Sequence, residues 1–463
     1  MTEREMHPGI SPWSGRPSTF ARVVPGLAQA MIALDYAVMF VALPVITRQL
    51  QLSSAEATGI MAVYGLCFAA FLLAGGAVCD RAGARLTFSM AMGLFMLASV
   101  AGALAYRPEW LLVARALQGV AAAFMQPSIL ALMAGRFAGK AYRQALTVWS
   151  ATGALGLVAG VILGGIFSQL YWPLIFLMNI PAGTLILWLV WRHFPVLPRP
   201  ETRVLFTPGA LVGSAAAGCL VLALLRLSQD GGPDYLLNRL AAVLTGGFFL
   251  HEKWSSRPLI SPALRRQASF QASWLASACY MASAGSQFYL LTLLWQQYYH
   301  FSALQTGMLF VPLAVLIIAG NRVYRGLSGR YRAPQLLCMG FLICAAGFYL
   351  QGSEALSQQS LWFVVGVILS GLGHGMVYPA IFSLGLSGVA TDSQGRASAV
   401  IVTSQYLSGA ITLAVLGVFP GKGQNASEWQ QAFQWLTWAA MAGMVVAMNV
   451  GKTEQTDEYS QVR

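Results

Sequence analysis

The chain is a succession of apolar runs, each about as long as a bilayer core is thick, separated by short turns that carry most of the charge. A hydrocarbon core about 30 Å thick needs roughly 20 apolar residues at about 1.5 Å rise per residue. Such runs occur near 23–47, 56–78, 87–106, 110–133, 145–168 and 174–193. A second series follows near 208–227, 236–250, 270–294, 304–321, 334–351, 361–387, 397–419 and 430–450. These fourteen runs predict an all-α membrane protein. The run 236–250 is short and has Asn238 and Arg239 near its start, so twelve helices with a long middle loop is the alternative. Only 10% of residues are charged, against about 25% in an ordinary soluble protein, which excludes a soluble enzyme. The 57% hydrophobic content excludes intrinsic disorder as well.

The net charge of +12 would suggest a nucleic-acid partner in a soluble domain, but here the cations are spread among loops and not gathered on one face. If the N-terminus is inside, only Arg48, Arg107, Arg239 and Lys422 fall in outer loops, Arg115 and Arg226 lie within runs, and the other 22 basic residues are inside. Lys and Arg mark cytoplasmic loops, so both termini are expected in the cytoplasm of a bacterial-type inner membrane protein. The first run is too long for a signal-peptide core and lacks a small-residue cleavage site, so it is expected to remain as a helix. Cys67, Cys79, Cys219, Cys279, Cys338 and Cys344 show no pairing or zinc spacing and read as packing residues. The longest polar stretch between runs, about Pro195 to Thr207, leaves no room for an inserted soluble domain. With no metal cluster, nucleophile elbow or phosphate loop, the expectation is a transporter rather than an enzyme, with no cofactor and no metal.

Several stretches carry more specific chemistry. Gly76-Ala77-Val78-Cys79-Asp80-Arg81-Ala82-Gly83-Ala84-Arg85 follows the second run; its glycines permit close approach and a tight turn, and Arg81 and Arg85 are available to Asp80. Arg115, in Leu111-Leu112-Val113-Ala114-Arg115-Ala116-Leu117-Gln118-Gly119, is a cation inside an apolar run, costly unless paired or wet. Gly156, Gly160 and Gly164, with Gly165 beside them, recur every fourth residue and allow backbone-to-backbone helix packing. Asp35 is the single acid well inside an apolar run of the first half, where burial raises a carboxyl pKa toward a range that a proton gradient can use. It either binds a proton or a cationic solute, or serves as a fixed acceptor for Arg115. His374, among glycines, reads as a packing histidine, Glu252 beside Lys253 as a surface ion pair, and Asp392 as an ordinary loop residue.

The first of these segments resembles motif A of the major facilitator superfamily, keeping Gly76, Asp80, Arg81, Gly83 and Arg85. The second resembles motif B, whose arginine is implicated in proton transfer, and the glycine series resembles antiporter motif C without its proline. Leu34-Asp35-Tyr36-Ala37-Val38-Met39-Phe40-Val41-Ala42-Leu43-Pro44 and Trp172-Pro173-Leu174-Ile175-Phe176-Leu177-Met178-Asn179-Ile180-Pro181-Ala182-Gly183 are similar to motifs of the fourteen-helix drug:proton antiporter branch. Ala37 and Phe40 replace its usual Thr and Asn.

The resemblance implies two six-helix bundles, 23–194 and 269–450, with two extra helices in the linker 195–268 and cytoplasmic tails at 1–22 and 451–463. It implies proton coupling through Asp35 and Arg115, and a gate at motif A that clamps the cytoplasmic side. A substrate site at the midplane between the bundles is implied too, with Tyr64, Phe124, Met125, Gln126, Tyr280, Gln287 and Tyr289 as its expected lining. Aromatic, Met-rich walls suit small lipophilic or cationic compounds. The expected partners are protons, a small-molecule substrate and the lipid bilayer, with the chain a monomer. The expected activity is proton-driven export by alternating access; the alternatives are a non-coupled uniporter or importer and a non-transporting receptor.

Overall fold

A computed structural model describes residues 19–52, 54–194, 208–227, 235–255, 261–353, 360–390, 393–416 and 426–461, and the single positions 196 and 258. Residues 1–18, most of the stretch 195–207 and Asp392 lie outside the described residues, as do the side chains of Phe40 and of 451–461.

The described chain is all-helical. The first half comprises α1 (Thr19–Leu50), α2 (Ser54–Ala82), α3 (Ala84–Ala103), α4 (Pro108–Arg136), α5 (Gly139–Tyr171), the single turn α6 (Leu174–Leu177) and α7 (Asn179–His193). Then come α8 (Pro208–Leu227), α9 (Tyr235–Trp254) and the short α10 (Pro262–Arg266). The second half begins with α11 (Ala268–Tyr280), a π-helical segment (Met281–Gly285), α12 (Ser286–Leu293) and a second π-helical segment (Leu294–Tyr298). It continues through α13 (Ala303–Leu327), α14 (Ala333–Ser353), α15 (Leu361–Gly385), α16 (Gln394–Leu416) and α17 (Ala426–Gln461). Among the described residues, nine helical stretches are each long and apolar enough to cross a membrane. The run 236–250, the weakest in the sequence, lies wholly within α9.

Two bundles form because each half buries small, inward-facing residues against its own helices. In the first, α1 packs on α5, α2 and α3 on α4, and α7 on α1 and α3; in the second, α14 packs on α15 and α17, α13 on α15, and α11 on α16 and α17. The bundles meet along α5 with α13 and α2 with α16. Helix α8 lies against both α2 and α16, while α9 packs on α8. Outward-facing apolar side chains such as Leu97, Leu170, Trp188, Val243 and Tyr349 are exposed, as a lipid-facing surface requires. Glu252 is not at the surface as expected: it is 8% exposed, and the missing side chain of Gly209 on α8 leaves room for its carboxylate beside His251.

The glycine series has a direct structural reason. A Cβ on Gly156 would collide with the carbonyl oxygen of Ala30, one on Gly160 with that of Leu34, and one on Gly164 with that of Val38. Gly165, beside them, is buried. These contacts draw α5 against the segment of α1 that holds Asp35, with a backbone proximity that no larger residue permits.

Candidate functional site

The polar centre of the first bundle is built around Asp35, whose side chain is 1% exposed. Arg115, on α4 and equally buried, donates from Nη1 to Asp35 Oδ2 at 2.6 Å and to Gln118 Oε1 at 2.8 Å. Gln118 donates to Asp35 Oδ1 at 3.0 Å, and Asn179, the first residue of α7, donates to the same oxygen at 2.8 Å. Both amides also donate to Ser99 Oγ on α3, at 2.9 and 3.1 Å. The carboxylate thus accepts three hydrogen bonds from two helices and ties α1 to α4 and α7. Opposite charges that satisfy each other in this way are tolerable in a low-dielectric interior, whereas removing one partner strands the other at about 3–5 kcal/mol. Arg115 Nε is buried without a partner, and its guanidinium sits 4.4 Å from the Tyr64 ring centre.

From this ion pair an aromatic series crosses to the second bundle. Tyr36, next to Asp35 in sequence and 39% exposed, has its ring 5.9 Å from Tyr64. Tyr64 stacks on Phe68 at 6.4 Å, and Phe68 meets Tyr406 of α16 at 4.5 Å. A second crossing joins Trp149 of α5 to Tyr378 and Phe382 of α15, both at 5.2 Å, and Tyr378 to Tyr280 at 5.2 Å. Ring-on-ring contacts of this kind are worth about 0.5–1.5 kcal/mol each beyond area burial, strong enough to hold an interface yet weak enough to exchange. Tyr64 Oη and Trp149 Nε1 are buried without hydrogen-bond partners, so this interface holds polar valence its own residues leave unused.

The motif A segment makes the third feature. Asp80 Oδ1 accepts from the backbone N–H of Gly395 at 2.7 Å, and Oδ2 accepts from the N–H of Arg396 at 3.0 Å and from its Nε at 2.8 Å. The carboxylate at the end of α2 thus caps the first turn of α16 in the other bundle, where free N–H groups and the helix dipole favour an anion. Gly76 makes the approach possible, since a Cβ there would run into Ala399 and the Gly395 carbonyl. Gly83, with φ +87°, turns the chain into α3. The expectation that Arg85 serves Asp80 is corrected: its guanidinium lies 4.7 Å over Trp191 and donates to the Trp191 carbonyl at 3.1 Å, joining α3 to α7. Arg81 lies in the last turn of α2.

Of the residues expected to line a substrate site, Tyr64 and Tyr280 belong to the aromatic crossings and Gln287 to a polar group in the second bundle. Met125 is fully buried in the core, Gln126 is 3% exposed, and Phe124 is half-buried where α4 meets Gly75 of α2. Tyr289 is 37% exposed and takes no part in these ring contacts. The sequence reading missed Ser99, Tyr36, Phe68, Trp149, Tyr378 and Tyr406. Only the placement of Gln118 and Asn179 within recognisable segments could have pointed to the Asp35 network.

The profile of the Major Facilitator Superfamily matches residues 26–413. The chain belongs to that superfamily. A cephamycin export protein from Amycolatopsis lactamdurans is 32% identical over 423 residues, covering 89% of this chain and 86% of that protein. A puromycin resistance protein from Streptomyces alboniger is 31% identical over 400 residues, covering 84% and 79%. A methylenomycin A resistance protein from Streptomyces coelicolor is 28% identical, covering 84% and 82%. Two solved structures share the fold. A human organic anion transporter has a TM-score of 0.66 at 14% identity, covering 93% of this chain and all of that one. A proton:xylose symporter has a TM-score of 0.64 at 14% identity, covering 94% and 95%. The chain is therefore a multi-pass membrane transporter of the major facilitator fold.

Proposed function

We propose that this transporter exports small, largely lipophilic compounds of the antibiotic type across the inner membrane, driven by inward proton flow. The observation that carries the proposal is the buried Asp35–Arg115 pair next to the aromatic crossing between the bundles. The export and resistance names of its relatives supply the direction and the compound class.

The proposed cycle follows from the geometry. The Asp80–Arg396 clamp and the Trp149–Tyr378 contact hold the bundles together at the end assigned to the cytoplasm by its Lys and Arg content. Protonation of Asp35 removes the charge that holds Arg115, Gln118 and Asn179, loosening α1 from α4 and α7 while α5 remains locked to α1 by its glycines. The change in packing biases which side of the bundle pair is open. Each proton falling through about 100 mV supplies about 2.3 kcal/mol, roughly a fiftyfold accumulation ratio.

The test is efflux from proteoliposomes under an imposed pH step. Wild-type protein should move a neutral lipophilic dye such as Nile red against its gradient, whereas Asp35→Asn should leave only passive exchange. Gradient-driven accumulation by the Asn variant equal to wild type refutes the coupling role.

A further inference from the structure

The two bundles carry polar centres on equivalent helices. In the first, Asp35, Ser99 and the pair Arg115 and Gln118 come from its first, third and fourth helices. In the second, Gln287 of α12, Gln351 of α14 and Ser370 of α15 occupy the same three places. Gln287 Nε2 donates to Gln351 Oε1 at 3.0 Å and to Ser370 Oγ at 2.8 Å, and Gln351 Nε2 donates to Ser370 Oγ at 3.1 Å. The first centre is charged and its carboxylate is saturated; the second is neutral and unsaturated. Gln287 is fully buried, yet its Oε1 has no hydrogen-bond partner. One turn along α15 from Ser370, His374 is 7% exposed; its Nε2 pairs with Tyr280 Oη, and its Nδ1 has no partner. Buried polar atoms left unpaired are rare in native proteins and ask for an occupant.

The surrounding backbone points the same way. Gln287 is the second residue after the π-helical segment Met281–Gly285, and a second such segment, Leu294–Tyr298, follows α12. Such segments occur frequently at functional sites. Tyr280 and Phe288 bring the group to the aromatic crossing, with ring contacts to His374 at 4.9 and 5.6 Å and from Tyr280 to Tyr378 at 5.2 Å. Between residues 268 and 416 the sequence holds only two acids, Glu354 and Asp392, and neither is among the described residues. A cationic solute docking at Gln287 and His374 would thus find no carboxylate on α12 or α15, the helices that carry them, and Asp35 of the first bundle is already held by Arg115.

We propose that Gln287 and His374 form a docking site for an uncharged hydrogen-bonding group of the transported compound, a carboxamide or hydroxyl that donates to Gln287 Oε1 and bonds His374 Nδ1. The inference rests on the exporter reading and narrows its substrate class to neutral compounds with an aromatic body and a polar end. Proton and solute then bind in different bundles and are linked through the bundle interface.

The test compares two probes on the full-length purified protein: chloramphenicol, neutral with an amide N–H and hydroxyls, and tetraphenylphosphonium, a cation with no hydrogen-bonding group. Binding is read by quenching of intrinsic tryptophan fluorescence. Gln287→Met should weaken chloramphenicol binding at least tenfold and leave the phosphonium within twofold. His374→Phe, in which the ring is kept, should do the same if the first variant fails to elute as a folded species. Equal losses for both probes, no loss for either, or wild-type protein that binds only the phosphonium each overturn the docking site. Chloramphenicol binding that shows the expected losses, but is never driven by a pH step, supports the site while refuting proton-driven export.

Discussion

Replacing Asp35 by Asn keeps the side-chain shape and deletes one buried charge. The carboxylate accepts from Arg115, Gln118 and Asn179 at 2.6, 3.0 and 2.8 Å, and an amide at the same place can satisfy only one side of that set. Its NH2 would face a donor whichever way it is turned. Hydrogen bonds to a charged group contribute about 1.5–3 kcal/mol each, and breaking a buried pair costs about 3–5 kcal/mol in total. At about 1.4 kcal/mol per tenfold, the folded population falls roughly a hundred- to a few-thousandfold relative to unfolded. Most of that cost belongs to Arg115 left uncompensated, so a second change, Arg115→Gln, should recover at least about 2 kcal/mol despite losing the contact over Tyr64. The assay is equilibrium unfolding of the wild type, the two single variants and the double variant in detergent micelles. Additive costs, with the double variant as unstable as the sum of the singles, would show that the two charges are not coupled and would refute the account of the network.

Two more outcomes follow. Asp80→Asn should weaken the cap on α16 and, with Arg396→Gln, open the α2/α16 end, read as faster labelling of a cysteine introduced at position 399, whose side chain faces Gly76. Gly160→Val should abolish folded expression, since its Cβ meets the Leu34 carbonyl and Ala37, whereas Gly246→Val, with nothing within 4 Å, should be tolerated.

How much the residues disclose in advance differs from feature to feature. Runs of apolar residues announce helices because each must satisfy its own backbone hydrogen bonds in lipid, which is why even the short run in α9 is a helix. The glycine series was legible because four-residue spacing puts one face of α5 in line, and the structure supplies Ala30, Leu34 and Val38 as the surface it meets. Asp35 and Arg115 stood out because buried charges are rare, but Ser99, an ordinary serine in an apolar run, gave no such signal. Asp80 pointed to nearby arginines when read along the chain, yet its partner lies more than three hundred positions away, on the other bundle.

By itself, the sequence determined the membrane class, the helical content, the charge asymmetry between loops and the places where a charge or a glycine is costly to replace. These are local quantities: hydropathy over one helix length, periodicity along one face, and the sign of a loop. The tertiary structure alone decided who satisfies whom: Arg115 for Asp35, the first turn of α16 for Asp80, and no partner for Gln287 Oε1 or His374 Nδ1. The reason is that a hydrogen bond depends on tenths of an ångström between helices far apart in the chain, and that separation is set by packing of the whole bundle.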